Sequence, residues 1–597
     1  VHRSSASRKM RMKDIRIVLG EKMARTKIGA KLSAVFAVSA LLISACGTSE
    51  ESGKGGTVTY LTHAEQILHL DPQRNYTGQD LAFSVTYLTR SLVSYAPGAG
   101  AAGTELVADL ATDIGTPSED LKTWTFTLRD GITFEDGSPI TCAEVAYGVS
   151  RSYAADITDG PAFAEAFLDV EGGYAAYPGP YEATAEQQAL FDAAVECSED
   201  GKTITFHLNS PMADFNYTTA LLTFSPVPLD EGGNVGEAYD KNIVSSGPYK
   251  IDSYTTGKSL NLVRNENWSA DSDPFRKALP DKVVVKFAQD EKGIDEYIIN
   301  GTGPGKTALS LDGIYPDNLE AVFSSADMES RRLNDYDIYV TYTAVNVAKM
   351  TCLPIRQAVF YATDREALRA LGGGSQFGGD FADGVIKPAN LPTDYKAVTG
   401  YEDADPAGNT AKAQELMDQA KTECPDEYTR VTTEGITRDY ADGDVARQGF
   451  AITQEALAKV GIKLVANFID PGSYYGVILN PETQGDLSAA GWGPDWLNAS
   501  TVIPPLFIDN GGFNVSQTKA DPDYAAFAAL VDEAKANPDR ASQGAQWAAL
   551  NQYVMEKMWV LPGLFTKTQY HWGSDLTGVY LWQPYGCPGF NDIGVKN

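Results

Sequence analysis

The sequence predicts an α/β architecture of at least two domains, on three grounds. Short alternating or β-branched runs are interleaved with longer amphipathic segments of helical period. At 597 residues the chain exceeds the size at which a single hydrophobic core keeps growing. With 43% hydrophobic and 21% charged residues, its composition is that of a folded protein.

Taken in order, TVTYL (Thr57–Leu61) reads as a strand, and a turn follows around Leu70, Asp71 and Pro72. TWTFTL (123–128) places Trp124, Phe126 and Leu128 on one face, and the turns RDG and DGSP lead to a helix beginning near Thr141. TITFHL (203–208) and LNLVRN (260–265) are further strands, and β-branched VVVKF (283–287) is expected at the centre of a sheet. The second half turns to helix–strand units. RQAVFYATDREALRAL (356–371) reads as one helix and AKAQELMDQAK (411–421) as another. Between Val445 and Val460, the residues Ala446, Phe450, Thr453, Leu457 and Val460 form one helical stripe. Gly461 supplies its stop, and IKLVANF (462–468) is the strand that follows. There is no internal repeat and no long linker past the N-terminus, so the domains must be joined by short ordered crossings.

The net charge of −31 argues against nucleic acid, which needs clustered Lys and Arg. Five scattered histidines (His2, His63, His69, His207, His571) suggest no metal site, and no HExxH or GxSxG signature occurs. NGTGPGKT (300–307) is one residue short of a phosphate-binding loop and reads as a surface turn. No cofactor is expected, and nothing points to catalysis.

At the N-terminus, Arg25, Lys27 and Lys31 precede the apolar run LSAVFAVSALLI (32–43), then Ser44, Ala45 and Cys46. That run is shorter than the roughly 20 residues of a membrane span and fits a signal peptide. ISAC resembles a bacterial lipobox, with Cys46 as the lipidated residue. Residues 1–45 are then the signal peptide and 46–57 a flexible tether. Met23 is the more sensible initiator than Val1. Export places Cys142, Cys197, Cys352, Cys424 and Cys587 in an oxidising compartment, and with no CxxC pair zinc is not expected. The expected disulfides are Cys142–Cys197 and Cys352–Cys424, with Cys587 left over, although spacing alone leaves the connectivity open.

In GWGPDW (491–496) a single carboxylate, Asp495, stands between Trp492 and Trp496. An unpaired charge among aromatics is expensive, so Asp495 needs a positive partner from within the protein or from solution. An internal Arg or Lys would make the site structural, and either tryptophan could be plain core.

The stretch LVADLATDI…LKTWTFTLRDGITFEDGSPITCAEVAYGVSRS (106–152) resembles the family 5 extracellular solute-binding proteins, the peptide-binding components of ABC importers. KTITFHLNSPMADF (202–215), SSGPYKIDSY (245–254), LNLVRNENW (260–268), IRQAVFYATDREAL (355–368), ALAKVGIKL (456–464) and GDLSAAGWGPDW (485–496) follow in family order. The resemblance implies a two-lobed periplasmic-binding-protein-like α/β fold with a hinge and an additional domain on lobe I. Lobe I would comprise 58–90, 240–338 and 566–597, the additional domain 91–239, and lobe II 339–565, with hinge crossings near 338–342 and 564–566. It also implies a non-enzymatic, monomeric receptor that captures di- or oligopeptides by cleft closure. The receptor would be lipid-anchored at the outer face of the bacterial cytoplasmic membrane and would deliver its ligand to an ABC permease. Asp495 stands where the family's GW-x-x-D aspartate pairs with the peptide's α-ammonium, with Trp492, Gly491 and Gly493 beside it. Tyr76, Thr77 and Gly78 form a second expected contact. Leu497, Asn498 and Ala499 depart from the acidic residue and proline common in relatives. An oligosaccharide receptor of the same family and a secreted hydrolase with dispersed carboxylates are the alternatives.

Overall fold

The strand Thr57–Leu61 exposes only Thr57 and buries Val58 and Tyr60 on one face and Thr59 and Leu61 on the other, as a strand covered on both sides does. It pairs in parallel with Lys282–Lys286 and with Ala308–Ser310. The computed structural model describes residues 53–229, 234 and 236–596, all within the unit Glu51–Asn597, so the signal sequence and Cys46 lie outside the described residues.

Three sheets organise those residues. The first has the order Ala308–Ser310, Thr57–Leu61, Lys282–Lys286, Ser259–Arg264, Tyr249–Thr255. The valine-rich strand occupies its centre, with Val283 and Val285 fully buried. The second is a four-stranded sheet in which Trp124 and Phe126 of Thr123–Thr127 face Phe206 and Ile204 of Thr203–His207. The helix Cys142–Arg151 beside it opens with a capping box between Thr141 and Glu144. The third sheet runs Asp380–Phe381, Val560–His571, Arg332–Val345, Leu487–Trp492, Ile436–Ala441, Leu464–Ile469.

Two expectations are corrected in detail. The segment 356–371 is not one helix but two, Leu353–Ala362 and Arg365–Leu371. Asp364 breaks it, because its carboxylate caps the second helix by accepting from the Ala367 amide at 2.8 Å. The strand predicted over 462–468 starts at Leu464 and ends at Ile469, and as a sheet edge it buries only those two ends. NGTGPGKT is a helix end: Gly301 takes the left-handed conformation (φ 55°) that stops Glu291–Asn300, and a tight turn follows.

Arg332–Val345 and Val560–His571 pair antiparallel over much of their length and connect the first and third sheets, with Leu309 bridging to Trp572 at the near end. Their register slips between Tyr336 and Val340 and again before Tyr342. At this irregularity the buried Lys387 ammonium donates to Asp337 (2.9 Å), to the Tyr339 carbonyl (2.9 Å) and to the Thr566 carbonyl (2.7 Å). Burial pushes the Lys387 pKa below its ordinary value, against the pull of Asp337.

Disulfides join Cys142 to Cys197 and Cys352 to Cys424, with Cα separations of 5.7 and 6.1 Å. Cys587 is a buried free thiol whose pKa burial pushes up. Near the first sheet, Arg90 and Arg276 clasp Asp109 at 2.8 and 2.7 Å, and Arg276 also reaches Asp273 at 3.1 Å. Burial alone would raise Asp273, but Arg276 and Arg90 outweigh it and hold that carboxyl below the usual range.

Candidate functional site

The strand Leu487–Trp492 delivers the GWGPD segment to the irregular part of the crossing, where Trp492 lies opposite Val340 and Gly491 opposite Thr341. Gly493 is needed here: a Cβ on it would sit 2.9 Å from the Tyr339 ring and 3.0 Å from Ile338. Pro494 then turns the chain so that Asp495 meets Thr501. The Thr501 hydroxyl donates to one Asp495 carboxylate oxygen at 2.5 Å and accepts from the Asp495 amide at 3.3 Å. The indole N–H of Trp492 donates to the Thr501 carbonyl at 2.7 Å, which fixes the loop.

The other carboxylate oxygen accepts from the Tyr76 hydroxyl at 2.5 Å, across 419 positions of sequence. Tyr76 follows a turn closed by the Asn75 amide donating to the Asp71 carbonyl at 3.0 Å, and the buried Arg151 guanidinium holds Asp71 itself at 2.6 Å. Of the three residues expected there, Tyr76 alone hydrogen-bonds Asp495. Thr77 is the exposed cap of the helix Gly78–Tyr87, and Gly78 lets that helix approach the Tyr585 carbonyl, 2.6 Å from where a Cβ would be.

Among the described residues, no Lys, Arg or His forms an ion pair with Asp495. Burial raises its pKa, and the hydrogen bonds from Thr501 and Tyr76 only partly oppose that. Tyr76 is likewise pushed up, by burial first and by the Asp495 charge second. The site is therefore a desolvated carboxylate held by neutral hydroxyls, which is an electrostatic arrangement that favours an incoming cation.

Trp496 does something different. It is buried, its N–H donates to Asp214 and to Ser500 at 3.0 Å each, and its ring meets Phe163 at 5.2 Å. It docks this loop beside the four-stranded sheet, and the Leu497 amide, donating to the Tyr95 hydroxyl at 3.1 Å, docks it onto the two-stranded pair Val93–Tyr95 and Leu106–Ala108. Trp492 is half-buried and packs on Phe513 at 5.1 Å, and Tyr475 continues the aromatic surface at 5.8 Å from Phe513. Tyr339 and Tyr475 are 49% and 54% exposed, and together with Trp492 and Phe513 they leave aromatic surface beside Asp495. Sequence reasoning missed both, because a tyrosine in a strand or short helix carries no local mark of facing a cleft.

A cavity of about 310 Å³ borders the same strand at Ala489 and Ala490 and is lined also by Thr341, Arg365, Arg369 and Arg438. None of these arginines stood out in the sequence, since Arg365 and Arg369 share one short helix and Arg438 comes from a strand about 70 positions further on.

Residues 105–514 match the family described as bacterial extracellular solute-binding proteins, family 5. The chain is 26% identical over 407 residues to the probable D,D-dipeptide-binding periplasmic protein of Escherichia coli (strain K12), covering 66% of each. It is 30% identical over 168 residues to the oligopeptide-binding protein of Bacillus subtilis (strain 168), covering 27% of this chain and 28% of that one. The alignments thus span less than two thirds of either relative. The solved structure of clavulanic acid biosynthesis oligopeptide binding protein 2 superposes with a TM-score of 0.80 at 27% identity, covering 91% of this chain and 96% of that one. The chain belongs to the family 5 extracellular solute-binding proteins, and its fold is the two-lobed α/β fold of periplasmic peptide-binding proteins.

Proposed function

We propose that this protein is an extracytoplasmic receptor that binds di- or oligopeptides between its lobes and delivers them to an ABC permease. The carrying observation is Asp495, recessed, raised in pKa and, among the described residues, met by the hydroxyls of Tyr76 and Thr501 with no ion-pair partner. A peptide's α-ammonium supplies the missing charge, and with water excluded the ammonium–carboxylate bond strengthens. Trp492, Tyr339 and Tyr475 offer apolar faces to the side chains that follow. The names of the relatives, dipeptide- and oligopeptide-binding, agree with this reading.

In this reading lobe I comprises 58–90, 240–338 and 566–597, lobe II is 339–565, and 91–239 is the additional domain. The irregular pairing around 336–342 and 562–567 is the hinge. Closure is driven by whatever the ligand gains in the closed state. Cys46 carries the lipid that tethers the monomeric receptor to the outer face of the membrane. The protein performs no chemistry on its ligand: one peptide binds per chain and leaves unchanged.

Calorimetry with one tripeptide, free and N-acetylated, tests the central contact. The free form should bind far more tightly. Equal affinity would remove Asp495 from ligand recognition and favour a neutral ligand such as an oligosaccharide. Mass spectrometry of the mature N-terminal peptide tests the lipid on Cys46.

A further inference from the structure

The loop that carries Asp495 is held on two sides. Asn498 caps the tight turn Ala499–Thr501, and its side-chain amide donates to the Gln543 side-chain carbonyl at 2.9 Å. The Ala499 amide donates to Asp394 at 2.8 Å. These bonds fasten the loop to residues of the 339–565 segment. Trp496, Leu497 and Ser500 reach the other way, into 91–239. The Trp496 indole and the Ser500 hydroxyl both donate to one carboxylate oxygen of Asp214, and the Leu497 amide donates to the Tyr95 hydroxyl.

Asp214 is placed by its chain neighbours. Phe215 packs into the aromatic core of the four-stranded sheet, its ring 5.5 Å from both Phe206 and Phe224. The Ala213 amide donates to the Lys535 carbonyl at 3.2 Å, a second link between the same two segments. Asp214, Trp496 and Tyr95 are each 3% exposed, so the contact is dry. Burial raises the Asp214 pKa, and Ser500, Trp496 and the Arg540 charge pull against it. Its other carboxylate oxygen is buried with no hydrogen-bond partner. Among the described residues, no disulfide and no strand ladder joins 91–239 to 339–565. The contact consists of side chains and single amides, and water can replace each bond when the two faces part.

We propose that Asp214 is the closure latch of the receptor: it holds the Asp495 loop from the opposite side of the cleft and thereby sets how long a bound ligand is retained. This rests on the lobe division given above, in which 91–239 moves with lobe I and the loop with lobe II. The coupling is short. The Thr501 hydroxyl binds Asp495 and the adjacent Ser500 hydroxyl binds Asp214, so one turn serves both carboxylates. Ordering that turn favours the two bonds together. With one oxygen unpartnered, the Asp214 hydrogen bonds offset its desolvation only in part, so the latch biases closure and leaves it reversible. Asp214 is therefore a positioning residue, acting on the ligand through the loop.

The test uses the mature chain, with release of radiolabelled Ala-Ala-Leu read by rapid filtration. Trp496→Phe combined with Ser500→Ala strips Asp214 of both donors and keeps a ring against Phe163. This variant should release the peptide about 10- to 100-fold faster, the range for lost hydrogen bonds to a charged group, with the association rate nearly unchanged. Adding Asp214→Ala should slow release again, because the stranded carboxylate is gone. Such a rescue marks a direct contact, which a general loss of structure would not give. The penalty for N-acetylating the peptide should persist in every variant. Unchanged release in the stripped variant, hastened release without rescue by Asp214→Ala, or loss of the N-acetylation penalty overturns the separate latch. If Ala-Ala-Leu binds to none of the proteins, the peptide reading falls and small-angle X-ray scattering of the free proteins decides the latch. A larger radius of gyration in the stripped variant than in wild type supports it, and an equal one overturns it.

Discussion

Asp273 and Asp495 are both desolvated aspartates in the same chain, and their surroundings push them in opposite directions. Asp273 lies with Asp109 between Arg90 and Arg276, and its carboxyl is held below the ordinary range. Asp495 has two hydroxyl donors and, among the described residues, no cation, and its carboxyl is pushed above that range. The first environment is complete within the fold. In the proposed reading the second acquires its counter-charge from a ligand, and this difference would separate a structural acid from a recognition acid more sharply than burial does.

The comparison can be broken from either side. Replacing one cation of the complete cluster, Arg276→Met, strands buried carboxylates and should cost about 3–5 kcal/mol of folding stability. Chemical denaturation measures this, and a loss below about 1 kcal/mol would mean the cluster is not what holds that region. The mirror experiment, Asp495→Asn, should leave the unfolding midpoint unchanged or slightly higher, because it removes a desolvated charge. Peptide affinity should instead fall by about 200- to 5000-fold, measured by calorimetry. A variant that unfolds while its affinity survives would reverse the assignment.

Acid sharpens the same contrast. In the free protein Asp495 takes up its proton at higher pH than an ordinary aspartate, and a docked ammonium favours the ionised form. Binding in the interval between the two pKa values therefore releases a proton, and affinity declines as pH falls through the raised value. Above that value affinity should be flat. Calorimetry in buffers of different ionisation enthalpy reads the proton directly, and proton uptake would contradict the sign. The smallest effect is expected from Tyr76→Phe. Losing one donor to the carboxylate should move the acid limb of the affinity profile to higher pH, since the Tyr76 hydrogen bond favours the ionised form.

Much of the fold was legible because local and global preferences agree. The valine run at 283–287 sits in mid-sheet, Thr141 caps its helix, and Thr57–Leu61 has the bounds its alternation indicates. The break at Asp364 was missed because an aspartate inside an amphipathic stretch suits both a helix interior and a cap, and the tertiary fold chose the cap. At the site, Asp495 was conspicuous through its neighbours' composition. Arg365, Arg369 and Arg438 were not, since each sits in an unremarkable helix or strand and only folding brings them to one cavity. Tyr76 was legible as a segment, but its partner 419 positions away was not.

The placement of the two covalent crosslinks has a mechanical consequence. Cys142–Cys197 ties a helix to the neighbouring four-stranded sheet, and Cys352–Cys424 ties adjacent helices flanking the third sheet. They enclose separations of 55 and 72 residues, for which chain-entropy reasoning gives about 4 kcal/mol each. Neither bond runs between the first sheet and the third. Oxidation thus stiffens the two regions it crosslinks and leaves the first and third sheets unstapled to each other, so under the proposed hinge a reductant should lower heat resistance without jamming or freeing closure.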